Sequence, residues 1–532
     1  MNATRSTGRA PVTAPAAATV RAVVTDPTLE APPLVEPAAP ERQARSEQSF
    51  VLRWGWLIAG CGLVVLSTIL LLWARTRPGY DPYGWLVWGY QTLHLSLDLG
   101  GAPSWKPLPY LFTVPYALAG HRDELRLWMI TAVTVSLAGS MFAGRIAYRI
   151  TDESMPRDAH GPVRRFAPAA AALFAGASVL GLQDYMHYIL SVQSDPIIVT
   201  ACLASIDMCL CGRPRWAFVF AVLGSLGRPE VWPFLGMYSI WAWFKVPSMR
   251  WMLYGGIALV GFMWFGIPWI TNGRPDIAGE LALRSPRALH QNKLTGTIGR
   301  FAGLQYPAVW VAALVCVAIA IQRRDRLVLA LAGAVAAWVA IEIAFAFHGF
   351  PALPRYMFEA GAVGAVLAGV GVGWVLTELP KLRPRLPHWS GIPVVVVLVA
   401  TVVPGAVART SAERQDLRHE RGRTNEIGLL QTTINALGGY GAIRRCGEPV
   451  TVVGYASALA WDTRLDVGSV GYLPGVEMRR KYPIVLLLPV SPGGWSVRPW
   501  HTLRTQRRQC SRLDASYVLT KQHPSGALRR HG

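Results

Sequence analysis

Apolar runs recur along most of the chain, at about 54–74, 127–148, 166–183, 196–211, 216–228, 230–244, 251–270, 302–321, 327–347, 359–378 and 392–408. Several approach twenty residues, the length of helix that crosses a hydrocarbon core of about 30 Å. Charges gather between the runs. Only 16% of residues are charged and 52% are hydrophobic, with 21 Trp, whereas soluble domains carry about a quarter charged residues. The pattern predicts an α-helical polytopic membrane protein. Runs 216–228 and 230–244 are short and divided by Gly227-Arg228-Pro229-Glu230. As two helices they bring the count to about eleven spans; as one kinked helix they leave ten.

The net charge of +21 is topology information, and the sequence holds no helix-turn-helix, zinc-finger or RNA-binding signature; no nucleic-acid partner is expected. Basic residues mark alternate loops: Arg157, Arg164 and Arg165; Arg213 and Arg215; Lys245 and Arg250; Arg323, Arg324 and Arg326; Lys381, Arg383 and Arg385. Under the positive-inside rule these loops are cytoplasmic, and their alternation favours the eleven-span count. The loop 271–301 goes against this pattern: it is basic yet falls outside. The expected layout is a multi-pass plasma-membrane protein with a cytoplasmic N-terminus and an extracytoplasmic C-terminus. Residues 1–50, rich in Ala, Pro, Thr and Arg, read as a disordered cytoplasmic tail. They do not read as a signal peptide, because the first apolar run starts only near Trp54.

Residues 51–408 then form the membrane domain and 409–532 a small extracytoplasmic α+β domain. Within the first outer loop, residues 81–118 read as two aromatic, interfacial helices with Trp and Tyr at headgroup level. The second outer region opens with a polar helix, Ser411 to Leu437, followed by strand-like runs at Val450–Val453, Ile484–Val490 and Tyr517–Thr520. Cys446 and Cys510 lie in this polar region and are positioned to form a disulfide if it is outside. Cys61, Cys202, Cys209, Cys211 and Cys316 sit in apolar runs as small fillers. Gly369, Gly371 and Gly373 lie inside an apolar run and read as a helix-packing face, not a nucleotide loop.

Polar groups at the outer ends of membrane helices are costly and call for an account. The outer face collects Asp81, Lys106, Asp184, His187, Asp195, Arg228, Glu230, His348, Arg355 and Tyr356, with Glu342 in the outward third of its run. A carboxylate there can take a proton from a hydroxyl acceptor, and Arg, Lys and His can hold a phosphate and neutralise it as it leaves. Such a set suits glycosyl transfer from a lipid-phosphate-linked sugar. The candidates for the donor phosphate are Lys106, Arg228 and Arg355, then His348 and Tyr356; Asp195, Glu230 and Glu342 are further candidates. Asp81 is the candidate general base, which implies inversion at the anomeric carbon. The alternatives are a transporter or flippase of a lipid-linked substrate, and a non-catalytic envelope scaffold.

With Asp81 in the segment GYDPYGWLVWG, followed by GGAPSWKPLPYLFTVPYAL, GRPE (Gly227–Glu230) and PRY (Pro354–Tyr356), the chain resembles the GT-C glycosyltransferase superfamily and an uncharacterised group of actinobacterial membrane proteins within it. The resemblance covers most of residues 50–410 in architecture, on short motifs. It implies a hexosyl- or pentosyltransferase acting in the cell envelope, with a polyprenyl-phosphate-linked sugar as donor and an envelope glycan or lipid as acceptor. Many relatives carry paired acidic residues in the first outer loop, where this chain has Asp81 followed by Pro82. No cofactor is expected, and a divalent metal lacks the paired motif that would support it.

Overall fold

A computed structural model describes residues 39–532 except 102, 104, 156–161, 284–288, 290–291, 383–386, 388, 491–493, 520–527 and 532. The chain divides into two units, residues 1–59 and 60–532. The described part of the first is the start of helix α1 (Ala39–Ala74). Residues 39–50, expected to be disordered tail, belong to that helix; Glu41, Arg42, Gln43, Ala44 and Arg45 are all strong helix formers, a local preference that composition alone conceals. The rest of the tail lies outside the described residues.

Every apolar run becomes helical. After α1 come α2 (Tyr80–Leu93), α3 (Pro107–Ala117), α4 (His121–Glu153), α5 (Pro162–Leu180), α6 (Tyr185–Leu190), α7 (Asp195–Leu210), α8 (Pro214–Gly227) and α9 (Trp232–Lys245). Next are α10 (Arg250–Gly261), continuing through a π turn into α11 (Ile267–Asn272), then α12 (Ile277–Leu283), α13 (Lys293–Ala302), α14 (Pro307–Arg323), α15 (Arg326–Phe347), α16 (Phe358–Leu382) and α17 (Gly391–Ala436). Among the described residues, six segments are long and apolar enough to cross a membrane: Trp54–Ala74, His121–Glu153, Pro247–Asn272, Arg326–Phe347, Pro354–Leu379 and Gly391–Ala436. The bent pair α13 and α14, meeting at 95°, makes a seventh if counted as one span. The protein is a multi-pass membrane protein.

The question left by residues 216–244 is resolved as two helices. Arg228 is extended (φ −150°, ψ 135°) and Pro229 opens a single 3-10 turn before α9, so the α8 ladder ends there. With 14 residues, α8 is about 21 Å long, shorter than a full hydrocarbon core. Its end carries Arg228 into the protein interior.

Helix α16 is the axis of the bundle, buried along most of its length against α4, α5, α7 and α14. The expected glycine face is there. A Cβ at Gly369 or Gly371 would clash with the backbone carbonyls of Ala171 or Ala312, and one at Gly373 would meet the Thr151 side chain. In contrast, α1, α15 and α17 expose apolar side chains such as Leu66, Ile69, Val396 and Val397, as lipid-facing helices do.

Within residues 81–118 the expected helices form, and their tryptophans are covered by protein. Trp85, Trp88, Trp105 and Trp128 are each no more than 1% exposed. Trp85 meets Trp128 edge-on at 5.8 Å, and Trp88 lies 5.3 Å from Trp105. Helix α2 is covered by α3 on one side and by the C-terminal domain on the other. Aromatic residues at helical spacing suit a lipid interface and a two-sided core equally well, so the pattern did not distinguish them.

Residues 409–532 do not begin a new element: α17 runs 46 residues without a break from its apolar half into its polar half. The domain adds α18 (Tyr440–Cys446), α19 (Val453–Thr463), α20 (Pro474–Glu477), α21 (Arg507–Cys510) and a five-stranded sheet. The strands β1 (Glu448–Val450), β2 (Ile484–Pro489), β3 (Gly494–Trp500), β4 (Ala515–Leu519) and β5 (Leu528–His531) lie in chain order. The β1–β2 pair is parallel and the others antiparallel. The expected first strand stops at Val450 because α19 begins at Val453. Strand β3, with Gly494 and Pro499 in its sequence, carried too weak a signal to be read. Cys446 and Cys510 are bonded, with Cα atoms 5.6 Å apart. The domain is clamped onto the bundle by His121 stacked on Trp461 at 3.7 Å and by Gln91 donating to Asp466.

Candidate functional site

Five elements bring their charged residues to the end of the bundle that carries the C-terminal domain. Asp81 sits in the first turn of α2, Lys106 just before α3 and Asp195 at the start of α7. Arg228 and Glu230 occupy the break between α8 and α9. Arg355 and Tyr356 lie in the 3-10 turn that leads into α16, and Glu359 in the first turn of that helix. The segment Tyr185–Asp195 ties several of these together. Tyr188 faces Arg355, the Ser191 carbonyl accepts from the Gly79 N–H at 2.9 Å, and Ser194 accepts from Lys106 Nζ at 3.0 Å.

Arg228 is the hub of the inner part. Its guanidinium binds Asp195, lies 3.3 Å from Glu230 Oε1 and 3.5 Å from Glu359 Oε1, and stacks 4.2 Å from the Tyr356 ring. Its side chain is 4% exposed and that of Asp195 is fully buried. Glu342, from α15, is buried beside Glu230. Charges taken out of water must be paired or the fold bears a cost of several kcal/mol per ion; here one guanidinium meets three carboxylates.

The outer part is more open. Arg355 Nη1 stands 3.5 Å from Asp81 Oδ2 and 3.8 Å from Asp195 Oδ2, and Lys106 Nζ lies 3.8 Å from Asp195 Oδ1. Side-chain exposures of 19% for Asp81, 17% for Arg355 and 15% for Lys106 distinguish these three from the closed floor. Burial pulls the Lys106 ammonium below its ordinary range, with Asp195 working the other way and Arg228 and Arg355 adding to the fall. Asp81 does not cap its helix: the capping position is Gly79, with no side-chain cap bond, and its carboxylate turns toward Arg355.

Of the residues singled out from sequence, Asp81, Lys106, Asp195, Arg228, Glu230, Glu342, Arg355 and Tyr356 come together. His348 does not: it is exposed and its Nδ1 lies 2.9 Å from the carbonyl of Ala344 in its own helix. Asp184 is exposed, and His187 pairs with Asp416 of α17 at 2.7 Å. Glu359, Tyr188 and Ser194 were missed. Glu359 had a signal, standing one helical turn after Arg355 on the way into the last buried span. Among the described residues, His187, Asp416 and Glu420 are the group spaced to share a metal ion; Asp81 is not in it.

The fold and the site therefore define a multi-pass membrane protein with a charged, half-enclosed site at the junction of a helical bundle and an extramembrane domain. Two solved structures are similar to this chain: ArnT from Cupriavidus metallidurans in the apo state and the same protein bound to undecaprenyl phosphate. Each is 14% identical with a TM-score of 0.44; the first covers 81% of this chain and 93% of its own, the second 88% and 96%. At that TM-score the likeness carries no argument about activity. No known family description matches the sequence, and no curated protein does.

Proposed function

We propose that the protein is a membrane glycosyltransferase that moves a sugar from a polyprenyl-phosphate donor to a glycan or lipid acceptor on the outer face of the plasma membrane. The observation that carries the reading is the outer trio: a carboxylate, Asp81, held 3.5 Å from a guanidinium, Arg355, with a second cation, Lys106, close by and all three partly open. Arg355 and Lys106 neutralise the donor phosphate. Asp81 takes the proton of the acceptor hydroxyl as its oxygen attacks the anomeric carbon. The bond from that carbon to the phosphate oxygen breaks, and the phosphate leaves with the electron pair. A single displacement of this kind inverts the anomeric centre.

Arg228 takes a different part from the one its sequence suggested. Three carboxylates already meet its charge, so it organises the floor and leaves the phosphate to the outer cations. Asp81 and Asp195 converge on Arg355, and Lys106 and Arg228 also face Asp195, so cations of the protein itself stand against this carboxylate pair. The test is to incubate the purified protein with polyprenyl-phosphate hexoses or pentoses together with an envelope glycan or lipid as acceptor, and read the anomeric configuration of any product by NMR. A product inverted relative to the donor is expected; a retained configuration contradicts Asp81 as base in a single displacement.

A further inference from the structure

The outer domain carries a surface that the transfer site does not use. From Arg479 to Leu513 the sequence contains no Asp or Glu, while Lys and Arg recur throughout. The fold gathers two parts of this stretch. Ile484 pairs with Trp500 at the end of the β2–β3 ladder, and His501 Nε2 lies 3.1 Å from the Met478 carbonyl. Arg479, Arg480 and Lys481 are thereby set beside Trp500 and Arg504, all of them exposed, with Trp500 at 44%. Arg480 is steadied by Glu477 at 3.1 Å. Tyr472, two residues before α20, is 39% exposed. Tyr472 is close enough to Tyr80, the neighbour of Asp81, to interact with it electrostatically.

We propose that this basic, aromatic edge is a docking surface for an anionic glycan. Exposed Trp and Tyr rings offer apolar faces for the CH faces of sugars, and the Arg and Lys groups meet carboxylates or phosphates on the polymer. An anionic lipid surface shares the charge but not the sugar rings, and the vesicle comparator below separates the two. Trp495, at the start of β3, is anchored by its indole N–H to the Glu426 carbonyl of α17. That part of α17 holds the bundle, with Arg421 on the carbonyls of Trp73 and Ala74 and Arg423 on that of Pro78. Trp500 stands five residues further along the strand, about 17 Å from that anchor. Calling the glycan the acceptor rests on the transferase reading; its binding does not.

The test measures binding of the full chain in detergent to polygalacturonate, a defined acidic polysaccharide, with neutral dextran and phosphatidylglycerol vesicles as comparators. Polygalacturonate should bind, dextran should not, and added salt should weaken the binding. Reversing Arg479→Glu together with Lys481→Glu should weaken it tenfold or more, and Trp500→Ala several-fold, with the Cys446–Cys510 bridge and thermal unfolding unchanged. Asp81→Asn should bind as the wild type does, which separates this surface from the transfer site. Wild-type affinity in both surface variants, or binding to the vesicles but not to polygalacturonate, would overturn the proposal.

Discussion

Arg228 and Arg355 are both arginines of the same cluster, yet their surroundings assign them opposite parts. Truncating Arg228→Ala strands Glu230 and Glu359 in the interior without the guanidinium they face, and leaves Asp195 with only the longer contacts to Lys106 and Arg355. Breaking a buried pair in this way costs about 3–5 kcal/mol, so this variant should unfold at a lower temperature in detergent. Arg355→Ala leaves the inner hub intact; it should keep a near wild-type melting temperature and lose affinity for the donor phosphate. If the two variants melted alike, the division into floor and rim would be wrong. At this scale the sequence was informative, because a charge at the end of an apolar helix has few places to go. It could not show which charges neutralise one another, since that depends on the break at Arg228 and on how deep α8 carries it.

Among elements, the strap formed by α6 and the residues after it links the C-terminal domain to the site. His187 at its near end pairs with Asp416 of α17, with Glu420 and Glu413 also facing the ring. Burial works against the protonated imidazole, but the Asp416 hydrogen bond and charge, helped by Glu420 and Glu413, raise its pKa above the ordinary value of 6.5. A raised folded value means that the contact stabilises fully below the unfolded pKa and is lost as pH rises through the folded one. The protection factors of the α6 amides, with the intrinsic pH dependence of exchange divided out, should therefore fall with rising pH, and His187→Gln should remove that dependence. An unchanged pH profile in the variant would locate the titration elsewhere. The strap was not legible in the sequence as such. Residues 185–195 fell between two apolar runs, and only the packing of α17 over them gives the segment its role. The packing of α2 was hidden for a similar reason: Trp85 and Trp88 meet Trp128 and Trp105 of following segments, and α19, over three hundred residues away in the chain, packs on the same helix.

For the whole molecule, the helical bundle was legible because lipid imposes long apolar stretches, and the disulfide was legible because Cys446 and Cys510 alone lie in the polar part. The continuity of α17 was not, since a change of solvent along one helix looks like a domain boundary in sequence. The bridge spans 64 residues, and in the chain-entropy account a loop of that size is worth about 4 kcal/mol to the C-terminal domain. Cys446→Ser should lower the stability of that domain by up to this amount, and both wild-type thiols should resist alkylation until reduced. Ready labelling of both thiols in the untreated protein would refute the bridge.

The central claim is that Asp81 acts on the acceptor while the cations hold the donor. It is tested most directly by measuring donor binding and sugar transfer side by side in Asp81→Asn, a change that preserves shape and removes the base. The account predicts donor affinity close to wild type and transfer slowed by about 10²–10⁴-fold. A folded Asp81→Asn protein that transfers sugar at the wild-type rate would contradict it.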